Sequence, residues 1–221
     1  MNSKELEIFC DASIRQYLDG RVFGCAGAIA PIYKSKSLEV IPDTTNNAAE
    51  ISAIYLGVKM AKELKNLYPD IEEITIYSDS KVSVFGLRNW MKDWINNMQN
   101  GVLYGSNKDT PVANQQIFLK IIAFLESNNL KINLKHQKGH VNALNQNKLD
   151  KARKLYFESN NEFIDTQTLS RISFYNNVVD EETRNFLATV NESQYPPITK
   201  ESNLVPMCYY VPKAQSLQYI N

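Results

Sequence analysis

The chain has 221 residues and balances 24 basic against 24 acidic side chains. That length admits one large domain or one domain with an appendage, and no apolar run approaches the roughly 18 residues of a membrane-spanning helix. Three cysteines, an odd number with no Cys-x-x-Cys spacing, argue against a zinc site or a disulfide framework and for buried reduced thiols.

The zero net charge hides a split. Residues 1–155 carry a net of +4 and residues 156–221 a net of −4. The working surface of the first part is therefore more basic than the total suggests. The start, Met1-Asn2-Ser3-Lys4-Glu5, has no apolar secretory segment, so a cytoplasmic location is expected.

Taken in chain order, residues 5–12 read as a strand, with Leu6-Glu7-Ile8-Phe9-Cys10 leading to Asp11. Asp19-Gly20 marks a turn, residues 21–33 read as a second strand, and residues 36–41 as a third ended by Pro42-Asp43. Three strands on short connections predict an antiparallel meander. A helix follows, because Ile51, Ile54, Tyr55, Val58, Ala61 and Leu64 recur at spacings of three and four. Thr45, Asn46 or Asn47 can cap its start. Residues 73–78 predict a fourth strand ending beside Asp79. Ser78-Asp79-Ser80 then caps a helix through Leu87, continued by a stripe of Trp90, Trp94 and Ile95.

Residues 96–111 are polar and read as a protruding loop, residues 114–127 as a helix, and residues 130–136 as a fifth strand. A polar loop over residues 137–146 leads to a helix over residues 147–158. Beyond it, Asp180-Glu181-Glu182 before Phe186, Leu187 and Val190 predicts a short helix with acids in its first turn. The aromatic and proline-rich ending is expected to pack on the body.

Four carboxylates fall at element boundaries: Asp11, Glu50, Asp79 and Asp150. In a mixed sheet, parallel strands open at one edge, so neighbouring strands one and four would set Asp11 beside Asp79, within reach of Glu50 at its helix start. Gathered acids repel one another unless cations neutralise them, and hard oxygen ligands suit Mg²⁺ or Mn²⁺.

Phe9-Cys10-Asp11-Ala12-Ser13, Thr44-Thr45-Asn46-Asn47-Ala48-Ala49-Glu50, Tyr77-Ser78-Asp79-Ser80, Lys138-Gly139-His140-Val141-Asn142 and Asn147-Lys148-Leu149-Asp150 together resemble type 1 ribonuclease H, in order, over about residues 5–157. The resemblance implies an α/β fold, a mixed five-stranded sheet flanked by helices. It sets a domain at 1–158 and leaves 159–221 as a C-terminal extension. It implies hydrolysis of the RNA strand of an RNA–DNA hybrid to 5′-phosphate and 3′-hydroxyl ends, by a monomer using two Mg²⁺ ions, for which Mn²⁺ can substitute. Asp11, Glu50, Asp79 and Asp150 would share the ions, and His140 would assist proton transfer or product release. Thr45, Asn46 and Asn47 match positions that contact the hybrid, and Ser80 and Lys81 lie where a phosphate could be met. His136 matches nothing in the motif and reads as structural.

Two departures stand out. Ile14 to Arg21 replaces the usual glycine- and asparagine-rich first turn, and Pro31 sits where an arginine for DNA phosphate is often found. Arg15 or Arg21 could substitute. Two other readings compete: a structure-specific DNA nuclease on the same fold, and a non-catalytic hybrid-binding module.

Overall fold

The computed structural model describes residues 4–18, 20–139, 141, 146–195 and 214–221. A five-stranded sheet runs in the order β3-β2-β1-β4-β5. Its strands are β1 (Glu5–Gln16), β2 (Val22–Ala30), β3 (Ser35–Ile41), β4 (Glu73–Ser78) and β5 (Asn133–His136). β1, β2 and β3 form the antiparallel meander, and β4 and β5 continue it in parallel with β1.

β1 is longer than its apolar run predicts. Residues 13–16 have no core stripe of their own, yet they stay extended because each pairs with β2, out to Gln16 opposite Val22. The parallel pairing of β1 with β4 stops at Cys10 opposite Ser78. Asp11 and Asp79 are therefore the first residues beyond the same parallel ladder.

Alternation along β1 divides the core in two. Leu6, Ile8, Cys10 and Ala12 point into the main core. That core is closed by α1 (Asn46–Leu67) and α4 (Gln115–Ser127). Between them come α2 (Lys81–Phe85), a wide turn over Gly86–Trp90, and α3 (Met91–Asn96). Trp94 packs edge-on against Phe118 at 5.3 Å and holds Trp90 at 5.9 Å, so the tryptophan pair anchors this segment to α4. Within the polar stretch that follows, short bridges join Gln99 to Val102 and Tyr104 to Pro111.

Phe9 points to the opposite face, into a second core with Tyr77, Tyr156, Leu169, Ile172 and Val179. This face is covered by α5 (Gln146–Asn160) and α6 (Thr166–Ala188). α6 corrects the expectation of a short helix beginning at Asp180. It has 23 residues and starts at Asp165, whose side chain accepts from the Thr168 N–H. Asp180 to Glu182 lie in its third quarter. The stripe Leu169, Ile172, Val179 and Leu187 supplies its buried face, interrupted by buried Ser173, Asn176, Asp180 and Thr183. Those polar interruptions hid the periodicity.

Residues 196–213 fall outside the described residues. The final segment packs Leu217, Tyr219 and Ile220 against the main core, and the Asn221 carbonyl accepts from the Leu134 N–H on the sheet edge. Cys10 and Cys25 are buried free thiols, and Cys208 lies outside the described residues. Among the described residues, no helix is long and apolar enough to cross a membrane.

Candidate metal centre

Asp11 follows Phe9 by two on β1, so its carboxylate leaves the sheet on the α6 face. It is 5% exposed, and its Oδ1 accepts from the Ala12 N–H at 2.7 Å. Glu50 sits one turn inside α1, whose start is capped by Thr45 Oγ1 accepting from the Ala48 N–H at 3.3 Å. The Glu50 side chain is 8% exposed, and its Oε2 has no hydrogen-bond partner among the described residues. Asp79 is half-buried where β4 ends. One carboxylate oxygen from each of Asp11, Glu50 and Asp79 lies within 4.8 Å of the others.

Burial and mutual repulsion set the acidity of this trio. Burial first, then the Asp79 charge, pushes Asp11 up to about 8. Burial first, then Asp11, pushes Glu50 up to about 9. A buried carboxylate oxygen with no donor, among acids that resist ionising together, fits a divalent cation and little else. Asp11, Glu50 and Asp79 are thus the residues able to hold one.

Asp79 is positioned from behind. The His136 Nε2 donates to the Asp79 backbone carbonyl at 3.2 Å, and the Ser159 hydroxyl donates to His136 Nδ1 at 3.0 Å. Burial pulls His136 below its ordinary value, which favours the neutral ring this pattern needs. Gly139 passes so close to Asp79 that a Cβ there would collide with its carboxylate, and this glycine therefore admits the loop to the site. His140, which follows, lies outside the described residues.

Asp150 is not one of the three carboxylates in mutual reach. It is exposed in α5, and its Oδ1 accepts from Gln146 Nε2 at 3.0 Å. It lines a cavity of about 350 Å³ with Arg153, Lys154, Phe157, Phe163 and Ile164.

Asn46 and Asn47 are exposed on the first turn of α1. Ser80 caps α2 by accepting from the Ser83 N–H at 3.4 Å, and Lys81 lies exposed with its ammonium 5.3 Å from the Phe85 ring centre. Arg21 is committed elsewhere: it forks onto Asp43 at 2.8 Å through both nitrogens and donates to the Tyr195 carbonyl at 2.6 Å. Arg15 is exposed and rests over Tyr17.

Two residues near the trio are not site candidates in the sequence, where Asp180 reads only as a first-turn helix acid. Asn176 of α6 is fully buried and donates from Nδ2 to Asp79 Oδ2 at 3.4 Å. Asp180 of α6 is 8% exposed, and its charge raises both Asp11 and Glu50. Local motifs carry no sign of them. Their one signal was polarity at positions i and i+4 on what had to be a buried helix face.

A mixed sheet of order 3-2-1-4-5 with three acids at the end of its parallel ladder defines a class: α/β proteins built around a carboxylate cluster able to bind metal. The RNase H family model matches residues 3–155, and the chain belongs to that family. It is 31% identical over 142 residues to Ribonuclease HI of Rickettsia conorii, covering 60% of this chain and 82% of that protein. It is 29% identical over 136 residues to Ribonuclease H of Desulforamulus reducens, covering 58% of this chain and 78% of that one. Among solved structures, a foamy viral protease-reverse transcriptase in complex with dsDNA superposes with a TM-score of 0.48 at 18% identity, over 70% of this chain and 93% of that one.

Proposed function

We propose that this chain is a ribonuclease that hydrolyses the RNA strand of an RNA–DNA hybrid at a Mg²⁺-loaded site, for which Mn²⁺ can substitute. The observation that carries the reading is the trio of Asp11, Glu50 and half-buried Asp79, in mutual reach at the sheet edge of a chain of this family. When bound, two divalent cations stabilise the incoming and leaving oxygens of an in-line displacement at phosphorus.

The chain's own groups bind and orient. Asp11, Glu50 and Asp79 hold the cations, and a fourth carboxylate completes the set, a place the resemblance gives to Asp150. Exposed Asn46 and Asn47 offer amides to base edges and 2′-hydroxyls in the minor groove, while Lys81 offers charge to a phosphate. Thr45 and Ser80 fix the helix starts that present them. His140, which follows Gly139 in the sequence, has by the resemblance the role of accepting or returning a proton.

The test is cleavage of matched RNA–DNA, RNA–RNA and DNA–DNA duplexes in Mg²⁺ or EDTA. Cutting is expected in the hybrid alone and with Mg²⁺ alone. Asp11→Asn and Asp79→Asn should each lower it by more than about a hundredfold, since losing even an outer partner of a metal ligand costs about ten- to a hundredfold. Full activity in either variant refutes the reading, and preferential DNA cutting supports the competing nuclease.

A further inference from the structure

We propose that Asp180 of the extension helix α6 adds a carboxylate to the metal centre from the side opposite α1, with Asn176 beside it as a neutral oxygen donor. The inference rests on the reading of Asp11, Glu50 and Asp79 as a metal site.

The placement follows from how α6 runs along β1. Arg171 forks onto Glu7, with one nitrogen at 2.9 Å. Tyr175 packs on Phe9 at 5.2 Å between ring centres. The Thr183 and Ser13 hydroxyls share a hydrogen bond of 2.8 Å. From Arg171 to Thr183 a helix rises about 18 Å, and from Glu7 to Ser13 a strand rises about 20 Å. The two elements therefore keep step over three alternating strand positions. The fourth, Asp11, falls level with residues 176–180. Gly27 confirms the level independently: it pairs directly with Asp11, and its open side is filled by the Val179 and Thr183 methyls.

The chemistry at that level is what a cation requires. Asn176 is fully buried, its Nδ2 faces Asp79, and its Oδ1 has no hydrogen-bond partner among the described residues. A buried amide oxygen without a donor is costly unless something electropositive enters. Asp180 is buried on the same stripe, while its neighbour Glu181 is exposed. Its Oδ2 pairs with Arg184 at 2.7 Å, a side chain 62% exposed. A largely solvated cation balances Asp180 at modest cost to ion entry. The charge of Asp180 raises Asp11 and Glu50, in agreement with this nearness. Asp150, by contrast, is exposed.

The experiment is calorimetric titration of the full chain with Mn²⁺, paired with thermal unfolding in EDTA. Asp11→Asn should abolish binding. Asp180→Asn should weaken it by about tenfold or more, while Glu181→Gln, at its exposed neighbour, stays within about twofold of the parent. Because Asp180→Asn removes a repelling charge, its metal-free unfolding temperature should match or exceed that of the parent. Parental Mn²⁺ affinity in Asp180→Asn, with binding lost in Asp11→Asn, overturns the assignment of Asp180 alone. A marked fall in the metal-free unfolding temperature of Asp180→Asn makes the residue a structural partner of Arg184 and overturns it as well. Parental affinity in Asp11→Asn overturns the metal centre itself.

Discussion

At the centre of the site, protons and metal ions compete for the same oxygens. Asp11 and Glu50 ionise near 8 and 9 in the folded chain, well above their ordinary values of 3.8 and 4.5. Across that interval the folded state holds more protons than the unfolded one, so stability without metal falls as pH rises. The fall begins near pH 4 and ends once both groups have ionised. Bound Mg²⁺ would replace those protons and cancel the loss. Thermal unfolding from pH 5 to 9 in EDTA should show a declining midpoint, and millimolar Mg²⁺ should raise that midpoint more at pH 9 than at pH 6. A midpoint in EDTA that rises across this range would show that the trio ionises without difficulty and needs no cation. Asp11, Glu50 and Asp79 were legible in the sequence because each ends or begins an element whose apolar period is plain. Asn176 and Asp180 were not, because their role depends on how one helix registers against a strand more than 160 residues earlier.

At the scale of elements, α6 decides what the second face of the sheet becomes. The meander, the long first helix and the parallel continuation could all be read from alternation and three-to-four spacing. α6 could not, since Ser173, Asn176, Asp180 and Thr183 break its stripe at the positions that face the sheet. Thr183 and Asn176 are tolerated in the buried seam because Ser13 of β1 and Asp79 beyond β4 meet them, while Ser173 Oγ has no hydrogen-bond partner among the described residues. Gly27 sets how closely the helix approaches. A methyl there meets Thr183, Val179 and Leu38 at once, so Gly27→Ala should push α6 outward. Overpacking of this kind costs about 1–3 kcal/mol. Chemical denaturation should register that loss with an unchanged denaturant slope, and Mn²⁺ affinity should fall with it as residues 176–180 withdraw. A Gly27→Ala variant as stable as the parent would place α6 farther from β2 than the packing requires.

Over the whole molecule, the charge split acquires a location. The first 155 residues carry a net of +4, while the residues from 156 onward carry −4 and include α6, laid directly on the face that holds the metal centre. Two of its acids lie beside Asp180: Glu181 is exposed, and Glu182 pairs with Lys36 at 2.9 Å. A polyanion approaching the trio over α6 would meet this acidic ridge. Divalent cations at the site and the basic remainder of the first part have to outweigh it. Glu181→Gln removes one exposed charge without touching the trio or the helix stripe. Hybrid affinity should rise about two- to fivefold at 50 mM salt and return to the parental value near 0.5 M, where screening reaches only about 4 Å. Fluorescence anisotropy with a labelled hybrid, in Ca²⁺ to prevent cutting, would measure it. An unchanged affinity at low salt would mean that the nucleic acid never comes near the third quarter of α6. It would then have to reach the carboxylates from the α1 side, past Asn46 and Asn47, with the extension helix forming the far wall of the site.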